Sequence, residues 1–79
     1  MTNEEALQLI KAALETVCAG ASDDIDASTD LSHVERLDSL HIMEMLFELE
    51  IQIGQKIEAI GEDYSDFQVS ALIAILIKI

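Results

Sequence analysis

Residues 37–53 read LDSLHIMEMLFELEIQI. Asp38 is a good helix N-cap, because its short carboxylate can accept a hydrogen bond from a free N–H of the first turn. Leu37 before the cap and Ile42 after it are placed for a hydrophobic staple. A helix is therefore expected from Asp38 to about Ile53. It carries two apolar stripes. The first, Ile42, Met45, Leu46, Leu49 and Ile53, is an ordinary core face. The second is Leu40, Met43, Phe47 and Ile51. At about 100° per residue it lies more than a quarter-turn from the first. Glu44 and Glu48 stand beside it. One helix of a small domain rarely buries both faces, so the second stripe reads as a docking surface with an apolar centre and an acidic edge. The alternative is that a neighbouring helix covers it. Ser39 is the first helical residue after the cap, and a side chain there points toward solvent. A phosphate on it would sit where the helix dipole and free N–H groups favour negative charge.

Outward from this helix, the chain reads as helix, long loop, helix, short irregular stretch, helix, which predicts an all-α bundle of three main helices plus one short helical turn. The first helix is expected from about Glu4 to Ala19. Thr2 and Glu5 make a capping box. Ala6, Ile10, Ala13, Leu14 and Val17 line one face at helical spacing. Gly20 suits a left-handed position at the helix end. Cys18, at the edge of the stripe, reads as a small packed residue rather than a reactive thiol, since no basic neighbour stands near it in sequence. Residues 21–37 form a loop rich in Asp, Ser and Thr, with Ile25, Leu31 and Val34 as apolar anchors. Gly54 and Gly61 bracket QKIEAI, which fits a single helical turn. The last helix is expected from about Asp66 to Ile79, with Ser65 and Gln68 as a second capping box. Its apolar residues lie on every face, the pattern of a helix buried all round. A domain this small hardly manages that alone. Self-association through this helix, or a chain continuing past residue 79, would each account for it.

The chain has 79 residues, enough for a single domain spanning 1–79. A core of this size stabilises only marginally and leaves little room for an active-site cleft, which favours a carrier or binding module over an enzyme. Sixteen Asp and Glu against four Lys and Arg leave a net charge of −12. That field repels nucleic-acid phosphates and anionic lipid, and it attracts basic patches on protein partners. With 51% hydrophobic residues the chain is not a disordered acidic tail. Cys18 is the only cysteine, the N-terminus lacks the pattern of a signal peptide, and the longest apolar run, residues 71–77, is far too short to span a bilayer. These features predict a cytoplasmic protein without membrane insertion.

The arrangement resembles the acyl carrier proteins and their peptidyl carrier relatives. The resemblance covers nearly the whole chain: an amphipathic first helix, a long loop with Asp30-Leu31, the signature Asp38-Ser39-Leu40, an acidic helix and a C-terminal helix. It implies that Ser39 receives 4′-phosphopantetheine from coenzyme A through a phosphopantetheinyl transferase, and that Asp38 caps the helix beside the attached group. It further implies that Leu40, Met43 and Phe47 meet acyl-loading, condensing or acyl-transfer enzymes, with Glu44 facing their basic patches; Glu48 and Ile51 extend the same surface. Acyl intermediates would travel as thioesters on the arm, and catalysis would belong to the partners. The sequence departs from the family's commonest pattern at Arg36, where glycine is frequent, and at His41 and Ile51, where acids are frequent. It also lacks the proline often found after the position of Gly54. These departures favour a specialised carrier over the housekeeping fatty-acid one.

Other classes were weighed on the same residues. Asp24, Asp26, Ser28, Asp30, Ser32 and Glu35 fall at the ligand positions of a single EF-hand calcium loop, the alternative being a calcium-binding interaction module. Against it, Thr29 stands where the sharp turn needs glycine, and only one such loop is present. Otherwise this is a solvated acidic loop with no metal. A hydrolase using Ser39, His41 and Asp38 is disfavoured because residues two apart on a helix point nearly opposite ways. A carrier fold without the arm, acting as a structural subunit, is the remaining alternative.

Overall fold

Backbone hydrogen bonds and apolar spacing form three α-helices among the described residues: α1 (Asn3–Val17), α2 (Ser39–Ile53) and α3 (Val69–Leu76). Two 3-10 turns, Ala21–Asp24 and Leu31–His33, lie in the loop between α1 and α2. The computed structural model describes residues 1–60 and 64–79. Among these residues the only β-type pairing is a single bridge between Asp30 and Gln68, so the domain is small and all-α. No helix among them is long and apolar enough to cross a membrane.

α1 begins on the expected capping box. Thr2 Oγ1 accepts the Glu5 N–H at 3.1 Å, and the Glu5 carboxylate accepts the Thr2 N–H at 3.0 Å. Ala6, Ile10, Ala13 and Leu14 are buried, and Val17 packs half-buried at the edge of the core. The helix stops at Val17, short of Ala19. Glu15 explains the difference: its carboxylate reaches forward to accept the N–H groups of Gly20 at 2.8 Å and Ser22 at 3.3 Å. That stabilises a turn in which Gly20 takes a left-handed φ of +85°. Bonds from Ser22 first, then Gly20 and the Arg36 charge, hold the Glu15 carboxyl below its ordinary pKa.

α2 lies against α1 and buries Ile42, Met45, Leu46 and Leu49. The loop that precedes it is anchored by Ile25 and Leu31, both buried, and by half-buried Val34. Burying a side chain such as Leu31 contributes about 1.5–3 kcal/mol over leaving it wet. α2 ends at Gly54, whose φ of +76° suits glycine and lets its N–H close onto the last turn.

The segment after α2 departs from expectation. Residues 55–60 form no helix. The Glu50 carboxylate takes the Ile57 N–H at 2.7 Å, and Ile60 N–H bonds back to the Ile57 carbonyl at 3.1 Å. The result is a turn that buries Ile57 and Ile60 without winding a helix. The expected bracket at Gly61 lies outside the described residues. Among the described residues, the short helical turns sit in the α1–α2 loop and not after α2.

α3 is also shorter than expected, starting at Val69 and not at Asp66, and the Ser65–Gln68 capping box does not form. The chain before it is held extended by pairing across to the loop: Leu31 N–H bonds to the Phe67 carbonyl and Val69 N–H to the Thr29 carbonyl, both at 2.9 Å. Gln68 becomes the residue at the helix boundary, with no side-chain cap. At the other end, Lys78 and Ile79 bond to carbonyls three residues back, tightening the last turn beyond Leu76. The uniformly apolar sequence does not mean burial all round. Val69, Leu72, Ile73 and Leu76 are buried, while Ala74, Ile77 and Ile79 are exposed.

Candidate functional site

The loop–α2 junction places Ser39 exposed at the first position of α2. Asp38 before it is extended, with φ −99° and ψ 179°. Its Oδ1 accepts the His41 N–H at 2.8 Å, the expected cap on one of the free donors of the first turn. Leu37 and Ile42 are both buried in the core on either side of this cap, as the staple requires. The serine hydroxyl thus stands on a helix end fixed from both sides, and a negatively charged group on it would meet the positive end of the helix dipole.

The cap has a second half that sequence reasoning missed. His41 Nδ1 lies 3.4 Å from the Asp38 backbone nitrogen and accepts its N–H, so Asp38 and His41 cap one another reciprocally. The same Nδ1 lies 3.2 Å from Asp38 Oδ1. The signal was the position: the third helical residue after a cap is where Glu or Gln ordinarily closes this box, and histidine with an acceptor nitrogen does the same work there.

Down α2 from Ser39, the second stripe is exposed: Leu40 at 64%, Phe47 at 58% and Ile51 at 71% of their full surface. Met43 departs from them, half-buried and packed against the core. Glu44 is exposed and Glu48 half-buried beside the stripe. An open groove of ≈ 410 Å³ adjoins its lower end, lined by Phe47, Glu50, Ile51, Gly54, Gln55 and Lys56.

The acidic loop is arranged differently from a cation site. Asp26 Oδ1 accepts from the Ser28 hydroxyl and N–H at 2.7 and 2.8 Å and from the Thr29 hydroxyl at 3.2 Å. Asp30 Oδ1 accepts from the Ser32 hydroxyl at 2.6 Å and its N–H at 2.9 Å. These bonds, the serine hydroxyls foremost, hold both carboxyls below their ordinary pKa. Each side chain closes its own local turn. The structure does not bring Asp24, Asp26, Asp30 and Glu35 together: among the described residues no three His, Cys, Asp or Glu side chains are grouped to hold one ion. Ser28 and Ser32 serve as the donors that occupy the two aspartates.

Two further residues find local partners. Arg36 lies across Gly20, where an added Cβ would come within 2.5 Å of its Nη1. Cys18 is half-buried, packs against the core and points its thiol at the Arg36 carbonyl, 4.0 Å away.

Comparison of the chain with protein-family models, with curated proteins and with solved structures returned no match.

Proposed function

We propose that this domain is a carrier protein that holds acyl intermediates as thioesters on a 4′-phosphopantetheine arm attached to Ser39. The observation that carries the reading is the exposed Ser39 hydroxyl, one residue past the Asp38 cap and at the head of an exposed apolar stripe. The residues present suit the group. A phosphodiester on Ser39 would lie against the N-terminal turn of α2, whose free N–H groups and dipole favour its charge. Asp38, Ser39 and Leu40 are all exposed, which leaves the serine accessible. When attached, the arm supplies a terminal thiol that carries the acyl group.

The protein's own contribution is recognition. Leu40, Phe47 and Ile51, with the exposed edge of Met43, offer a partner enzyme apolar area it can bury. Glu44 and Glu48 attract a basic rim, and the overall charge of −12 speeds the encounter. His41 and Ile51, where acids are frequent in carriers, make this surface less acidic and more apolar, which favours dedicated partners in a specialised pathway. In this reading catalysis belongs to the partner enzymes.

The test is intact mass after incubation with coenzyme A, magnesium and a broad-specificity phosphopantetheinyl transferase, beside Ser39→Ala. One added phosphopantetheine in the native chain and none in the variant is the expected result. No gain in a folded native chain, with a control carrier modified in the same tube, overturns the reading.

A further inference from the structure

The Asp38 cap is closed by a second bond that runs the other way. With its ring hydrogen on Nε2, the His41 imidazole accepts at Nδ1, and what lies before that nitrogen at 3.4 Å is the Asp38 N–H. The Asp38 carboxylate accepts the His41 N–H at 2.8 Å in return.

We infer that His41 is a positioning residue for Ser39: by accepting the Asp38 N–H it holds the backbone immediately before the serine, and so the presentation of its hydroxyl, in one conformation. The inference rests on reading Ser39 as the attachment point. The dihedral angles that the bond restrains are those of Asp38, and they set the direction in which Ser39 leaves the loop. Removing the ring would keep the Asp38 side-chain cap but free the Asp38 N–H, loosening that restraint. Few groups compete for the ring: Asp38, from the preceding loop, is the only carboxylate within 4.0 Å of it among the described residues.

The experiment compares the native chain with His41→Ala and His41→Gln. Glutamine at this position closes a capping box in the same way. The first readout is the Asp38 amide in the unmodified protein, its exchange protection followed by NMR. The native chain and His41→Gln should show a protected amide, and His41→Ala an unprotected one. The second is modification by the broad-specificity transferase with coenzyme A and magnesium. kcat/KM for His41→Ala should fall about two- to tenfold, the effect of one net hydrogen bond, and His41→Gln should restore it. If His41→Ala fails to fold, protection of the native Asp38 amide decides alone. An unprotected Asp38 amide in the native chain, or native-like modification of a folded His41→Ala, overturns the positioning role while leaving Ser39 as the attachment point. No modification of the native chain beside a modified control overturns the attachment reading instead.

Discussion

The two apolar stripes of α2 are built from the same kinds of residue and meet opposite fates. Ile42, Met45, Leu46 and Leu49 are buried at 2% exposure or less, while Leu40, Phe47 and Ile51 each keep more than half of their surface in water. Neither hydropathy nor helix propensity separates the two sets. What separates them is the supply of neighbours. α1 packs against one side of α2, and among the described residues no further helix packs on the other. Met43 marks the border, half-buried between the faces. The carrier role proposed above would use that uncovered face to meet a partner.

Cutting each face should sharpen the contrast. The largest effect is expected from Leu49→Ala, which empties a fully buried position and should cost about 2–5 kcal/mol in denaturant unfolding. A cost under about 1 kcal/mol would mean that this face is not the core. Asp38→Ala removes the side-chain cap at the head of both faces and should cost about 0.5–2 kcal/mol, read as a lower melting temperature and faster exchange of the His41 amide. Acid should act on the loop before it acts on either face. The folded-state pKa values of Glu15, Asp26 and Asp30 are depressed by their hydrogen bonds. Their contribution is therefore complete above the unfolded carboxylate range and is lost as pH falls through the lower folded values. Loop amides such as those of Ser22, Ser28 and Ser32 should lose protection there first, and simultaneous loss in the core of α2 would contradict a locally held loop. The smallest change in stability is expected from Phe47→Glu, within about 0.5 kcal/mol of the native chain, together with impaired acyl transfer by a partner enzyme. A large drop in melting temperature would place Phe47 in the core and erase the distinction between the faces.

Where contacts are local, the sequence was legible. The Thr2–Glu5 box, the core stripe of α1, the Asp38 cap and the Leu37–Ile42 staple all lie within a few residues of their partners. What was missed depends on distance or on an unusual residue in a familiar place. The start of α3 is set by Thr29 and Leu31, on the far side of α2 in sequence. The turn at 55–60 depends on Glu50 reaching seven residues forward to Ile57. Glu15 shortens α1 in the same manner. At the candidate site, the exposed serine and its cap were readable from spacing, whereas the part His41 plays in the cap was not, because the box is usually recognised by its glutamate or glutamine.

The bridge between Asp30 and Gln68 also bears on how the chain reaches this fold. Its two backbone hydrogen bonds close a loop that contains the whole of α2. α1 and α2 can form from local contacts and dock through a short search, but this closure must wait until α2 has been traversed, so it is expected late in folding. Its entropic cost grows only slowly with the length enclosed, about 0.6 kcal/mol for each doubling. Lengthening the enclosed chain would therefore add little to the entropy of this closure, provided that Phe67 and Val69 still arrive opposite Leu31 and Thr29.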